Sequence, residues 1–286
     1  MGQRNGFVEV YLTHVENPWL GQSLDPEGYL TVDESLAPIA ENRAWGDENE
    51  EYGPAWTGRF GPIETQPYRY REATLRALQM RRNILMLSAF SVDQDPELTA
   101  YASLALGRNV EDTPDAWCYL RESYVKDPAR GGAPKPVKNF ERWLYQRDRD
   151  GARTTPVDRV EQHPKMYPAP ESHRFDYTAR QTDRAAGQDR IGFALDDRFL
   201  AGGPHRVAIK VTFRDRANAR WALAWRTPQG EALRETQCGD SGEHRTATFF
   251  LDDAVFDARG MDCDFEIRAL DGDAAISFVR AIKLPA

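Results

Sequence analysis

At 286 residues, of which 41% are hydrophobic and 11% aromatic, the chain can build one or two packed cores, which excludes an intrinsically disordered protein. Its net charge of -8 sits at the front: residues 1–125 carry 20 acids against 10 bases, 126–168 carry 6 against 10, and 169–286 carry 19 against 17. Phosphate neutralisation needs Lys and Arg clustered on a docking surface, so this balance argues against a nucleic-acid partner and favours neutral or polyhydroxyl ligands.

The first element in chain order is a strand at Phe7, Val8, Val10, Tyr11 and Leu12, a β-branched and aromatic run that stops at Thr13-His14-Val15-Glu16-Asn17-Pro18. The opening residues lack the apolar core of a signal peptide and no 18-residue apolar run occurs, so the chain as given reads as soluble, with no membrane partner. Leu36-Ala37-Pro38-Ile39-Ala40 offers a weaker strand, opposed by Pro38. It is followed by an acidic stretch holding Glu41, Asp47, Glu48, Glu50 and Glu51, read as a loop.

Thr65-Gln66-Pro67 then supplies a helix start, and Tyr70, Ala73, Ala77 and Met80 form one stripe opposite Arg71, Glu72, Arg76 and Arg82. Ile84-Leu85-Met86-Leu87 reads as a buried strand, and Asp95-Pro96-Glu97 caps a second helix that runs through Leu98, Tyr101, Ala102 and Ala105 to Gly107. Such strand and helix alternation implies parallel strands with crossover helices.

Residues 126–168, rich in Pro, Gly and charge, read as a connector docked through Phe140, Trp143, Leu144 and Tyr145. Beyond it the period becomes two: Ile191, Phe193, Leu195; Val207, Ile209, Val211, Phe213; Trp221, Leu223, Trp225; Ala247, Phe249, Leu251; Cys263, Phe265, Ile267. Turn signals at 202–204, 228–230, 239–242 and 271–273 separate these runs, the cadence of an antiparallel β-sandwich. Residues 169–286 are therefore expected to fold alone.

YRYREATLRALQMRRNILML is similar to a penultimate helix leading into a final barrel strand, and DFEIRALDGDAAISFVRAIKL is similar to the closing strands of carbohydrate-binding-like jelly rolls. Together the chain resembles the C-terminal portion of a glycoside hydrolase. The resemblance implies a fold of α/β plus all-β type: a partial (β/α) barrel over 1–125, the connector over 126–168, and a jelly-roll-like sandwich over 169–286. A whole barrel takes about 250 residues. About half is implied here, with either a homo-oligomer or a separate N-terminal partner chain covering the open barrel edges.

Barrel chemistry sits on the loops after strands. That points to Glu16 with His14 after the first strand, and Glu41 with Asn42 after the second, as catalytic carboxylates and their neighbours. Hydrolysis of a glycosidic bond wants two carboxyl groups roughly 5–5.5 Å apart for retention or 6.5–9.5 Å for inversion. The resemblance places Glu41 at the nucleophile position and leaves the acid/base missing. Trp45 and Trp56 offer ring faces to an oligo- or polysaccharide beside these acids. The alternative for Glu16 and Glu41 is a solvated or capping role. Trp221 and Trp225, four apart on one strand face, read as core or as a sugar platform.

No cofactor is implied. The histidines are scattered, no Walker or GxGxxG motif occurs, and the acidic stretch could hold a structural calcium ion but lacks the D-x-D-x-D-G spacing. Cys118, Cys238 and Cys263 lack CxxC spacing and read as buried small residues. Two functions remain open: a glycoside hydrolase or remnant of one, and a non-catalytic carbohydrate-binding or protein-interaction module.

Overall fold

The computed structural model describes residues 10–14, 22–32, 44–49, 66–87, 92–125, 135–161, 175–217, 219–257 and 262–285. The chain divides into two compact units, the first made of residues 1–112, 124–140 and 160–176, the second of 113–123, 141–159 and 177–286.

In the first unit, β1 (Val10–His14), β4 (Ala44–Asn49) and β5 (Ile84–Leu87) form a three-stranded sheet in the order β1-β4-β5 with both pairings parallel, and β2 (Gln22–Leu24) pairs with β3 (Leu30–Val32) antiparallel. Helix α1 (Gln66–Gln79) lies between β4 and β5 in sequence and buries the expected stripe of Tyr70, Ala73, Ala77 and Met80. Arg82, expected on the polar face, is buried as well. Helix α2 (Pro96–Ala105) starts as its sequence implies: the Asp95 carboxylate accepts from the Leu98 N–H, and Pro96 occupies the first turn, where no backbone N–H is needed. Tyr70 packs with Leu98, and its hydroxyl meets Thr99 Oγ1 at 2.6 Å.

Two expectations for this unit are corrected. The acidic stretch is no loop over 44–49, because β4 is the central strand, held by β1 on one side and β5 on the other. And β5 is an edge strand with Met86 46% exposed, not a fully buried one. The largest correction concerns the fold class. Among the described residues no β/α barrel part exists: after α2 the chain does not return to a fourth parallel strand but enters β6 (Asp115–Val125), which pairs antiparallel with the last strand of the chain. One β-helix-β crossover is real; its extension to a barrel is not.

The remaining strands are β7 (Lys135–Arg142), β8 (Leu144–Gln146), β9 (Thr155–Glu161), β10 (Phe175–Gln181), β11 (Arg190–Leu195), β12 (Gly202–Arg214), β13 (Arg220–Thr227), β14 (Gly230–Gln237), β15 (His244–Phe256), β16 (Phe265–Ala269) and β17 (Ala275–Lys283). Three of these, β7 to β9, occupy the stretch read as a connector. Gly202 and Gly203, read as a turn, open β12 next to an irregularity in its register with β15.

In the second unit one antiparallel layer runs β10-β17-β12-β15, with β6 also on β17, and the other runs β14-β13-β16-β11-β8; a single bridge, Arg226 to Val255, joins them. The layers face each other through the period-two residues. Phe213 of β12 and Phe249 of β15 meet Trp221 of β13 edge-on at 5.2 and 5.8 Å between ring centroids. Phe193 stacks on its register partner Phe265 at 5.2 Å. Trp221 and Trp225 are 1% and 4% exposed, so they are core and not a sugar platform. The three cysteines are buried and unpaired.

Asp215, at the end of β12, closes one end of this sandwich. Fully buried, its carboxylate accepts from the Gly239 and Ser241 N–H groups and the Ser241 hydroxyl, and pairs with Arg245 Nε at 3.1 Å. The Ser241 hydroxyl, then the two N–H groups and Arg245, hold its carboxyl below the usual carboxylate range against the opposing effect of burial. A depressed native pKa contributes stability that is full above the unfolded value of about 3.9 and is lost as pH falls through the native value. Asp215→Asn should therefore melt well below the parent at pH 7, and the gap should narrow below pH about 4. An equal gap in melting curves at pH 7 and pH 3 would show that the charge is not its source.

Candidate functional site

The outer face of the β14-β13-β16-β11-β8 layer carries a pocket of about 190 Å³, lined by Arg149, Asp150, Ala152, Arg190, Glu231, Asp262, Glu266 and Arg268. Its floor follows from register. Gly192 of β11 pairs with Glu266 of β16, which pairs with Ala224 of β13, while Arg190 pairs with Arg268, which pairs with Ala222. Directly paired residues share a face, so small residues flank a row of charged ones. Large side chains there would fill the space the charges occupy.

Glu266 is the centre. It is 1% exposed, a burial a carboxylate tolerates only when paired. Arg149 Nη2 reaches its Oε1 at 2.5 Å, and Arg268 Nε reaches its Oε2 at 3.0 Å. Arg268 then turns its two terminal nitrogens onto both oxygens of Glu231, at 2.8 and 2.7 Å. Because β16 and β14 flank β13, this bidentate pair spans β13 on the face that holds Ala222 and Ala224, both fully buried. Its fork geometry fixes position as well as charge.

Arg149 lies on the loop between β8 and β9, and that loop is tied at both ends by Asp148. Oδ1 of Asp148 accepts from Gln146 Nε2, the Thr154 N–H and the Thr154 hydroxyl, and Oδ2 accepts from Arg180 Nη2 at 3.0 Å. Gly192 leaves room for the arginine: a Cβ there would stand 3.0 Å from Arg149 Nη2 and 3.3 Å from Cys263 Sγ. Arg149 Nη2 also lies 3.3 Å from that sulfur, whose thiol is pushed up to about 12, chiefly by burial, and stays neutral at physiological pH.

The bond from Arg268 keeps the Glu231 carboxyl below its usual range, and Glu231 in turn holds the Arg268 guanidinium firmly charged. General acid catalysis on a glycosidic oxygen needs the opposite, a carboxyl raised toward neutrality. Glu231 is therefore held away from the protonated state that such catalysis needs.

None of the residues singled out from the sequence is among those lining this pocket in the described part of the chain. Glu16, Glu41, Asn42 and Trp56 fall outside the described residues. His14 ends β1, in register with Glu48, and Trp45 of β4 is in register with Tyr11. Two strands are therefore in parallel register there, with His14 and Trp45 three register positions apart.

Sequence reading missed the pocket because Glu266 and Arg268, alternating with Phe265 and Ile267, look like an ordinary solvated face. The usable signal was Gly192, an outer position without a side chain inside an apolar run.

No family model and no curated protein matches this chain. Among solved structures it is similar to the C-terminal CBM6 of LamC, a marine laminarinase from Zobellia galactanivorans, at 9% identity and a TM-score of 0.25 over 49% of this chain and 99% of that one. It is similar also to BiXyn10A CBM1, at 11% identity and a TM-score of 0.24 over 49% and 97%, and to the PRD1 vertex protein P5, at 10% identity and a TM-score of 0.24 over 60% and 98%. At these values neither fold nor ligand transfers from them.

Proposed function

We propose that the second unit is a carbohydrate-binding β-sandwich and that the pocket on its outer face is the binding site. The observation that carries this reading is the fixed charge lattice of Arg149, Glu266, Arg268 and Glu231 over a floor of small residues. Sugar hydroxyls donate and accept at once, and a rigid array of guanidinium donors and carboxylate acceptors meets both needs without reorganising. The glycoside hydrolase reading is the weaker one, because Glu231 is held below the usual carboxyl range by Arg268 and both oxygens of Glu266 are taken up by arginines.

Two substitutions test the assignment in the intact chain. Glu231→Gln removes the more exposed half of the pair and leaves Arg268 bonded to Glu266, so stability should change by no more than about 1 kcal/mol. Gly192→Val drives Arg149 off Glu266. Each should weaken binding to the best glycan of an array by about tenfold, the weight of one charge-assisted hydrogen bond. Calorimetric titration beside melting curves separates binding from folding. Full affinity in both variants would place the site elsewhere.

A further inference from the structure

The pocket's unused groups specify its ligand more narrowly, on the assumption that it binds carbohydrate at all. Arg190 donates through Nε to Asp189 at 3.1 Å and its charge also helps hold the Glu231 carboxyl low, but its two terminal nitrogens make no hydrogen bond among the described residues. One of them stands 3.3 Å from where a Cβ on Gly151 would be, so the guanidinium lies against the backbone of the loop between β8 and β9. Asp262, exposed at the start of the segment leading to β16, has a carboxylate with no partner among the described residues. It holds a positive φ of 53°, a conformation Asp tolerates better than most residues. Every other charge of the wall is engaged: Arg149 with Glu266, Arg268 with Glu231, and Asp150 with Arg153 at 2.8 Å.

We infer that the pocket takes a single, neutral monosaccharide unit at the end of a glycan, with Arg190 donating to its hydroxyl oxygens and Asp262 accepting from a neighbouring hydroxyl. Three features of the site support each part. A volume of about 190 Å³ falls below the roughly 300–1,000 Å³ of sites for drug-sized ligands, which suits one ring and not a run of them. The lining carries three arginines against four carboxylates, so a uronate would gain Arg190 and still face Asp262 and Asp150. And the lining has no aromatic ring among the described residues, so successive rings along a chain find no stacking surface there.

The test is calorimetric titration of the intact chain with methyl glycosides of neutral hexoses, with the matching uronates, and with a di- to hexasaccharide series of whichever neutral sugar binds. The expected result is an affinity constant within about threefold along the series, and uronates at least tenfold weaker. Arg190→Ala should lose about tenfold, since a hydrogen bond from a charged donor is removed, with melting little changed because its one ion pair, to Asp189, is between two half-exposed side chains. Asp262→Asn should narrow the preference for neutral over acidic sugar. Affinity that climbs with each added unit would overturn end-on binding, and a uronate that binds more tightly would overturn neutrality; in either case the pocket would still bind carbohydrate. Absence of binding to every glycoside, oligosaccharide and polysaccharide would remove the carbohydrate reading itself.

Discussion

Arg180→Met is expected to destabilise the second unit by about 3–5 kcal/mol, the cost of breaking a buried ion network by removing one partner. Arg180 of β10 is 1% exposed and has no slack. Nη1 reaches Glu122 Oε2 and Nη2 reaches Asp148 Oδ2, both at 3.0 Å, while Nε reaches the Thr154 hydroxyl at 2.6 Å. Without the guanidinium, two carboxylates lose their cation in a place with little water. For a unit of this size the loss corresponds to a fall in melting temperature of roughly 6–20 °C. The same variant should also weaken glycan binding, because Asp148 holds the loop that carries Arg149. Adding Glu122→Met should return part of the stability, as a hydrophobic replacement of both partners is far less costly than an orphaned charge. A loss below about 1 kcal/mol in denaturant titration would mean that solvent already screens these groups.

The second large effect concerns where the chain can be cut. A segment of residues 113–286 is expected to unfold cooperatively, and a segment of 169–286 is expected to show no cooperative transition. Cutting at 169 strips β6 from β17, where Tyr119 to Asp115 pair with Phe278 to Ile282, and β8 from β11, where Leu144 to Gln146 pair with Leu195 to Phe193. It also removes Trp117, Leu120, Trp143 and Leu144, each no more than 1% exposed. At about 1.5–3 kcal/mol for each buried large side chain these four are worth about 6–12 kcal/mol, which is comparable with the whole stability of a typical domain. Circular dichroism and melting of the two segments decide it, and a sharp transition in the shorter one would show that the stretch before residue 169 is an accessory to the sandwich rather than part of it.

What the sequence disclosed follows from how far each signal reaches. Trp221, Leu223 and Trp225 alternate within one strand, so a window of five residues suffices to see them, and the same holds for Asp95 with Pro96 at the start of α2. Strand β14 (GEALRETQ) was not visible, since an edge strand with polar residues on both faces has no periodicity to show. Strands β7 to β9 were obscured by Pro, Gly and charge, although Glu141 is buried there and takes both its oxygens to Arg147 Nη1 at 2.7 and 2.8 Å. The pocket is a product of long-range pairing. Glu231 meets Arg268 only because β14 and β16 flank β13, and Arg149 meets Glu266 from 117 positions away. No local window contains either pair.

The place of β17 bears on synthesis. It is the last of the sandwich strands to leave the ribosome, and it contacts β6, β10 and β12 at once. Until it arrives, β12 has one open edge, β6 keeps on that side only its pairing with β10 at Glu122 and Tyr177, and Val279 and Ala281 leave a gap in the layer they fill when native. The sandwich cannot close progressively as the chain is made; it must wait in a partly assembled state and then close in one step. Holding factors and proteases would act in that interval, and loss of β17 would leave β12 with an open edge and the layer unfilled.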